Sequence, residues 1–445
     1  MFGCSYGTLF QVTVAGGSYQ EGLTTHIQGM PPGMLITEEE IYRELLVRKP
    51  GQGELTSPRR EPDIPVIYSG LNVADTMPGF STGGMTNGTP LVILIPNLDR
   101  HLEHVEQYQV TNRTPRPGHA SLASYIKYGE WDDAIGAGIF SGRYTSTIVA
   151  AGAVAKKILA EHGIQVFGYV KEAAGVACPE MDYETVRAKT AAFKEVRRLA
   201  DPIYDYVFAQ NRITPDMRFL AKMAVLAEVE RELLTIREGM KRLDKYAIRE
   251  QYGVHPSLNC PDVDAADAMY EKILEITRQG DSSGGLVEVV ATGCPAGMGE
   301  PIFRKLDGEL GRMMSIAAVK CVEIGAGYAV KDMTGSQNND QMVGENGKVK
   351  YLSNNAGGIA GGMTTGQPIV VRLAVKPTPT IAKDQKTIDK VTKESSVLSA
   401  VTRRDPTIIQ RAWPVAEAFT SIIILDAFIQ HLGYQALWAH RRTHA

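Results

Sequence analysis

The turn Arg116-Pro117-Gly118-His119-Ala120 holds a histidine beside a guanidinium, in a stretch stiffened by proline. A histidine held this way suits general acid chemistry near neutrality, and it suits equally a structural turn position. The run Arg403-Arg404-Asp405-Pro406 sets a carboxylate beside two guanidiniums and before a proline, a fixed arrangement able to accept a proton. Arg48-Lys49, Arg59-Arg60, Arg113, Arg143 and Arg411 also lie mostly near Pro or Gly. Loop guanidiniums clamp carboxylates and phosphates in bidentate fashion, although solvation explains any single one as well. The densest glycine cluster runs from Asn354 to Gly366 just before an apolar run, with Thr364 and Thr365 inside it. Its N–H groups could cradle an anionic or planar ligand, or the glycines could serve a tight crossover. Neither G-x-x-x-x-G-K-[ST] nor G-x-G-x-x-G is present, so neither standard phosphate fingerprint applies. His101 and His104 share a three-residue spacing but have no third ligand nearby, so no metal site is expected. G-x-S-x-G, H-E-x-x-H and a Cys/His pair are all missing, which leaves hydrolase templates without support.

The elements that must carry these residues fall into three stretches. In the first, to about Val170, Thr8–Val14 alternates as a strand, and Thr37 with Glu40 reads as a helix start running through Leu46. Leu91–Ile95 reads as a buried strand, and Thr147–His162 as a helix whose small residues permit close packing. The middle stretch, about Pro179 to Asn259, loses glycine and gains charge. Thr214-Pro215-Asp216 there reads as a helix start, and Leu226, Val229, Leu233, Ile236, Met240 and Leu243 form a heptad-like seam. Val186, Phe193, Val196 and Ala200 mark a shorter partner helix, so an inserted helical hairpin is expected. It packs as a satellite on its own domain or meets a partner. In the third stretch, Leu286–Ala291 and Ile369–Val375 read as strands, and Asp307–Cys321 and Thr420–Leu432 as helices. Gly280–Gly285 and Gly293–Pro301 add further glycine-rich turns beside strands, as expected where several backbone segments build one site.

Composition bounds the reading. The chain has 445 residues, 47 Lys+Arg against 50 Asp+Glu and a net charge of −3, which argues against a general nucleic-acid binder. No uninterrupted apolar run approaches ~20 residues, and the first residues lack a signal-peptide pattern, so a cytoplasmic protein with no membrane partner is expected. Five dispersed cysteines, with no CxxC pair, read as free thiols.

Taken in order, several segments resemble chorismate synthases. They are Tyr6–Thr13, Arg59–Asp63, Arg116–Ala120, Val149–Lys157, Gly280–Ser282 with Gly284-Gly285, and Gly299–Phe303. Met314–Ile316 with Ala318–Lys320 and Glu323–Gly325, the Gly357–Gly366 loop, Lys376–Thr380 and Arg403 with Asp405-Pro406 continue the match. The resemblance covers most of the chain but not the middle helical stretch. It implies an α+β fold of helices packed between two β-sheets, with catalytic parts 1–178 and 260–445 flanking the inserted helical hairpin read above, at 179–259. It also implies a homotetramer that binds reduced FMN, served by a separate flavin reductase. The implied reaction removes phosphate and a hydrogen in a 1,4 relation from 5-enolpyruvylshikimate 3-phosphate. Under the resemblance, Asp405 works with the flavin in proton removal and His119 acts as an acid. Arg48, Lys49, Arg116, Arg143, Arg403 and Arg404 would bind the substrate's anions. Ser141, Gly358, Gly361, Gly362, Thr364, Thr365, Lys376, Thr378 and Thr380 would line FMN.

The sequence also departs from the family. Gly-Glu-Ser-His-Gly becomes Gly16-Gly17-Ser18-Tyr19-Gln20, so Tyr19 stands at the second catalytic histidine. A tyrosine donates a hydrogen bond but is not a cation near neutrality. Two arginine positions hold Ile139 and Ile148, and the histidine before the catalytic aspartate is Arg404. These losses favour a changed, less charged cyclohexene carboxylate as substrate. An ordinary chorismate synthase and a silent flavin- or partner-binding homologue are the alternatives.

Overall fold

The computed structural model describes residues 3–57, 59, 61–72, 83–98, 113–133, 135–239, 243–401 and 405–442. Its architecture is mixed α and β with several sheets. The first sheet joins β1 (Ser5–Tyr6), β2 (Gln11–Gly16), β3 (Gly22–Gln28), β5 (Leu91–Pro96) and β4 (Val66–Ser69) in that order, every pairing antiparallel. The second joins β7 (Val176–Ala177), β6 (Gln165–Ala173), β8 (Gly285–Thr292), β14 (Ile369–Val375) and β9 (Val319–Ile324), again antiparallel. Small hairpins form from β10 (Met342–Glu345) with β11 (Lys348–Tyr351), β12 (Ile359–Ala360) with β13 (Met363–Thr364), and β15 (Gln385–Ile388) with β16 (Ser395–Leu398).

Helix α1 (Glu38–Arg48) starts at a capping box, with the Glu40 N–H donating to Thr37 Oγ1 and the Thr37 N–H to the Glu40 carboxylate, both at 3.1 Å. After α2 (Ser121–Tyr128), helix α3 (Thr145–Glu161) packs on β2, β3 and β5. The long α8 (Ile409–Arg442) packs on β6, β8 and β14, and α3 and α8 lie against each other. Their approach needs a residue without a side chain: a Cβ on Gly152 would stand 2.3 Å from that of Ala418. Apolar residues fill this contact, including Val149, Val154, Trp413, Ile422 and Leu425. Helix α8 is long and apolar enough to cross a membrane, but 89% of its most apolar window is buried inside the fold, as in a core helix.

The middle stretch forms α4 (Tyr183–Leu199), α5 (Phe219–Glu238) and α6 (Lys245–Tyr252), and α7 (Val263–Arg278) returns the chain to the second sheet. Leu226, Val229, Leu233 and Ile236 bury their seam against Tyr42, Leu46, Ile64 and Val66, so α5 packs on α1 and β4. Helix α4 packs on α1 and β6. Lys194 of α4 joins Lys156 at the carboxylates of Glu44 and Glu417, and so ties the stretch electrostatically to α1, α3 and α8.

Several sequence expectations are corrected. Thr214–Asp216 is a turn closed by Thr214 on Asp216, and α5 begins only at Phe219. The strand expected from Thr8 begins at Gln11, because the carboxylate of Asp426 collects the N–H groups of Thr8, Leu9 and Phe10. The helix expected over Asp307–Cys321 is a short helix, Leu306–Gly311, followed by one 3₁₀ turn and then β9. Ala318 sits at φ 71° and breaks the helical path, after which Val319–Ile324 pairs with β14.

Candidate active site

Three segments converge on Asp405, which lies on the loop entering α8. The Ser57 N–H, from the loop after α1, donates to its Oδ1 at 2.8 Å. Arg411, in the first turn of α8, reaches both carboxylate oxygens through Nη1, at 3.1 and 3.2 Å. Arg411 Nε meanwhile donates to the Arg48 carbonyl at 3.1 Å, which fixes the guanidinium. Behind the carboxylate, Thr378 Oγ1 donates to the Asp405 carbonyl at 2.9 Å, and Ser282 Oγ donates to the Thr378 carbonyl at 2.8 Å. The carboxylate is thus oriented by a cation and a backbone donor, and it keeps 19% of its surface exposed. Arg411 was noted in the sequence only as a loop arginine. Its spacing of six residues from Asp405, at a helix start, was the available signal.

Thr378 leads to the second group. The Lys376–Thr380 run leaves β14 and meets the Arg116–His119 turn, where Lys376 Nζ donates to the Gly118 carbonyl. Arg116 lies 3.5 Å from both Thr380 Oγ1 and His119 Nε2. His119 is pushed down to about 4, first by burial and then by the charges of Arg116 and Lys376. Its ring is therefore neutral near pH 7. His119 Nδ1 is buried and without a hydrogen-bond partner among the described residues.

A third group holds Arg48 and Arg143, expected to bind substrate anions, and both bond carboxylates of the protein itself. Arg48 pairs with Asp63 at 2.5 Å and donates to Thr145 Oγ1 and the Gly142 carbonyl. Arg143 pairs with Glu61 at 2.8 Å and with Asp63, and donates to Asn97 and the Pro96 carbonyl. Both side chains are buried, and burial pulls Arg48 down to about 10. Burial acts to raise Asp63, but Arg143 and Arg48 outweigh it and hold the carboxyl below its ordinary range. Two guanidiniums facing two carboxylates leave little charge for a ligand. Lys49 is likewise engaged: its Nζ meets Asp201 and the Tyr42 hydroxyl, each at 2.7 Å.

This buried cluster shapes the neighbouring turns. Asn97 donates to the carbonyls of Gly17, Ser18 and Gln20, and so holds the turn that carries half-buried Tyr19. Ser141 caps the Gly142–Tyr144 turn and donates to Ser18 Oγ at 3.2 Å, which puts Ser141 beside Tyr19's turn. Ile139 and Phe140 lie next to it with 42% and 39% exposure. Ile148 packs against the core from α3, so an apolar residue there is explained by packing. Arg403, Arg404, Arg60, His101 and His104 lie outside the described residues.

The glycine loop resolves as a crossover. The N–H groups of Gly358, Thr364 and Thr365 are taken by Asn354, Met298 and Gly358, and Thr364 Oγ1 donates to the Pro295 carbonyl at 2.5 Å. A Cβ on Gly357 would stand 2.3 Å from the Gly325 nitrogen, so the loop is pressed backbone to backbone on its neighbour. It also enters β14, whereas Lys376–Thr380 leaves that strand. Seven residues at ~3.3 Å each separate the two by roughly 20 Å. Along the strand, the glycine loop and the Lys376–Thr380 run thus lie at opposite ends of β14.

For a flavin mononucleotide, the His119 end fits. It offers two cations for a phosphate, threonine hydroxyls, and an orphaned buried nitrogen on a neutral ring.

A family model described as chorismate synthase matches residues 10–429. A chorismate synthase of Methanosarcina mazei is 36% identical over 431 residues, covering 97% of each chain. One of Methanocella arvoryzae is 37% identical, covering 96% of this chain and 95% of its own. One of Acetivibrio thermocellus is 34% identical, covering 98% and 97%. A crystal structure of a chorismate synthase superposes with a TM-score of 0.61 at 26% identity, covering 96% of this chain and 94% of its own.

Proposed function

This chain belongs to the chorismate synthase family, and from that premise we propose that it is an ordinary chorismate synthase. It would be a carbon–oxygen lyase of aromatic amino acid biosynthesis that converts 5-enolpyruvylshikimate 3-phosphate to chorismate and phosphate. The observation that carries the reading is the convergence of Asp405, Arg411, His119, Arg116 and Lys376 through Thr378 and Thr380. In the elimination a C–H and a C–O bond break, a C=C bond forms, the proton goes to a base and phosphate leaves with the electron pair. Asp405, oriented by Arg411 and the Ser57 N–H, would accept the proton at a carboxylate oxygen. Arg116 and Lys376 would hold anionic oxygens, a role for which Arg403 and Arg404 are further candidates by sequence. His119, neutral before binding, would gain proton affinity once an anion offsets those two cations. Reduced FMN, when bound, would supply transient electron donation without net redox change. Lys376, Thr378, Thr380 and Ser141 would hold it.

The same reading carries a homotetramer, a separate flavin reductase and a cytoplasmic setting. Ile302 and Phe303, 72% and 98% exposed, are apolar surface that a second copy would cover. The layering of α3 and α8 between the two five-stranded sheets supports the helix-between-sheets arrangement, with 179–259 as an appended helical unit. A second reading, a less charged substrate, rests on Tyr19 and the exposed Ile139 and Phe140 beside Ser141. Anaerobic turnover with reduced FMN decides between them. Conversion of 5-enolpyruvylshikimate 3-phosphate at biosynthetic rates supports the ordinary enzyme, and failure with intact flavin binding supports the second.

A further inference from the structure

The chain leaves the edge of the second sheet at one cysteine and returns to it at another. Cys178 follows β7 and extends its pairing with β6, its N–H donating to the Lys171 carbonyl at 2.8 Å. After the helices of 179–259, Asn259 comes back to the adjoining residue of β6. Its carbonyl accepts from the Val170 N–H at 2.8 Å, and its side chain donates to the Gly168 carbonyl at 3.0 Å. Cys260 is the next residue, and its thiol is hydrogen-bonded to the Cys178 sulfur. Neighbouring residues of one strand thus hold the two ends of the inserted stretch together, and each end carries a thiol. Both cysteines are buried, with Cys178 between exposed Ala177 and Pro179. The hydrogen bond from Cys260 pulls Cys178 down to about 7, helped against burial by the Asp262 N–H and the Lys171 ammonium. The same bond pushes Cys260 up. One sulfur is therefore readily a thiolate and its neighbour stays a thiol, which suits a nucleophile and the group that resolves it. The elimination proposed above uses neither sulfur.

We propose that Cys178 and Cys260 are an oxidative modification site, a thiol pair that hydrogen peroxide converts to a disulfide closing the neck of the 179–259 helical unit. The Cys178 thiolate attacks one peroxide oxygen, the O–O bond breaks, and hydroxide leaves with the electron pair and takes a proton to become water. Cys260 then attacks the sulfur of the sulfenic acid. The S–S bond forms, the S–O bond breaks, and the Cys260 proton leaves with the hydroxide as a second water. Two thiols lose two electrons, and one peroxide becomes two waters. Peroxide fits a buried sulfur because it is little larger than water, whereas a peptide disulfide is far bulkier. The bond closes a loop over the whole helical unit, and so removes entropy from the denatured chain.

The test treats the full, reduced chain with a small excess of hydrogen peroxide, blocks remaining thiols with N-ethylmaleimide, and maps the digest by mass spectrometry. The exposed Cys4 and Cys321 report that the oxidant has acted. The expected result is a Cys178–Cys260 cross-link that dithiothreitol removes, with a higher melting temperature for the oxidised chain than for the reduced one. In Cys260→Ser, Cys178 should stop at the sulfenic acid and be trapped by dimedone. In Cys178→Ser, Cys260 should remain a maleimide-reactive thiol once the chain is unfolded. The unsubstituted chain decides the matter should either variant fail to fold. Both thiols still free after Cys4 and Cys321 have oxidised, Cys178 linked instead to another cysteine, or a cross-link that lowers the melting temperature would overturn the proposal.

Discussion

Replacing Arg411 by glutamine removes a cation that bonds both oxygens of Asp405, together with its anchor on the Arg48 carbonyl. Ser57 remains as a backbone donor, so the carboxylate keeps one contact on Oδ1 and can rotate about it. A charge-assisted hydrogen bond is worth about 1.5–3 kcal/mol, and each 1.36 kcal/mol of lost transition-state stabilisation is tenfold in rate. If the carboxylate must be aimed to take the proton, kcat should fall about 10- to 100-fold in Arg411→Gln. KM for the substrate should move much less, because Arg411 is committed to Asp405. Arg411→Lys keeps the charge and should recover part of the loss, but not all, since a lysine cannot bond Asp405 and reach the Arg48 carbonyl together. The assay is anaerobic chorismate formation with reduced FMN, with thermal melting run beside it. A Gln variant within about twofold of the parent in kcat, at unchanged melting temperature, would refute the positioning role. Equal losses in Gln and Lys variants that track a melting shift would instead mark Arg411 as structural.

Asp405→Asn should abolish turnover while FMN affinity, read by titration, stays near the parent value, because the amide cannot accept the proton. A near-native rate would make Asp405 a structural residue. The His119 ring should titrate near 4 by NMR, and Lys376→Gln should raise it by removing a repelling cation. The folded chain holds this imidazole neutral, so the unfolded chain binds the proton first. Its contribution to stability is then complete above about 6.5 and is lost as pH falls toward about 4, which His119→Gln should flatten in acid unfolding curves. Asp63→Asn leaves Arg48 and Arg143 buried with less counter-charge and should cost about 3–5 kcal/mol in denaturant unfolding. An Asn variant of unchanged stability would show that those guanidiniums reach water or another anion.

Local pattern placed the elements whose burial is decided by their own residues. Leu286–Ala291 and Ile369–Val375 are β-branched runs, and they are adjacent, fully paired strands of the second sheet. Thr37 and Glu40 marked the start of α1 because both halves of a capping box lie within one turn of chain. The failures share a different cause. Leu306, Leu310 and Met313 recur at helical spacing and are buried, so the pattern is real, but a vacancy beside β14 draws the next residues into β9. Likewise, the N–H groups of Thr8 to Phe10 leave the first sheet for a carboxylate more than 400 residues away. No window of neighbouring residues contains that information.

The site divides along the same line. The turns of His119 and Asp405 stand out in the sequence by their own prolines and cations, while much of what holds them, Ser57 and Thr378 at Asp405 and Lys376 at the Gly118 carbonyl, comes from elsewhere in the chain. The arginine roles were not legible there, because a guanidinium's role depends on which carboxylate it meets. Arg143 finds Glu61 and Asp63 some 80 residues away, in the Arg59–Asp63 run that had been read for its arginines alone. The Arg143 guanidinium bonds inside the protein, where its contact with Asn97 helps fix the turns that carry Tyr19 and Ser141. That bears on the departures from the family. The residue at 148 packs on the core, so its apolar character is explained there, and among the described residues Arg411, Arg116 and Lys376 are cations bonded to the segments that meet at Asp405. On the proposed function, substrate charge would be matched at the exit of β14, and among the described residues Tyr19 with Ile139 is where a difference from the ordinary enzyme would arise.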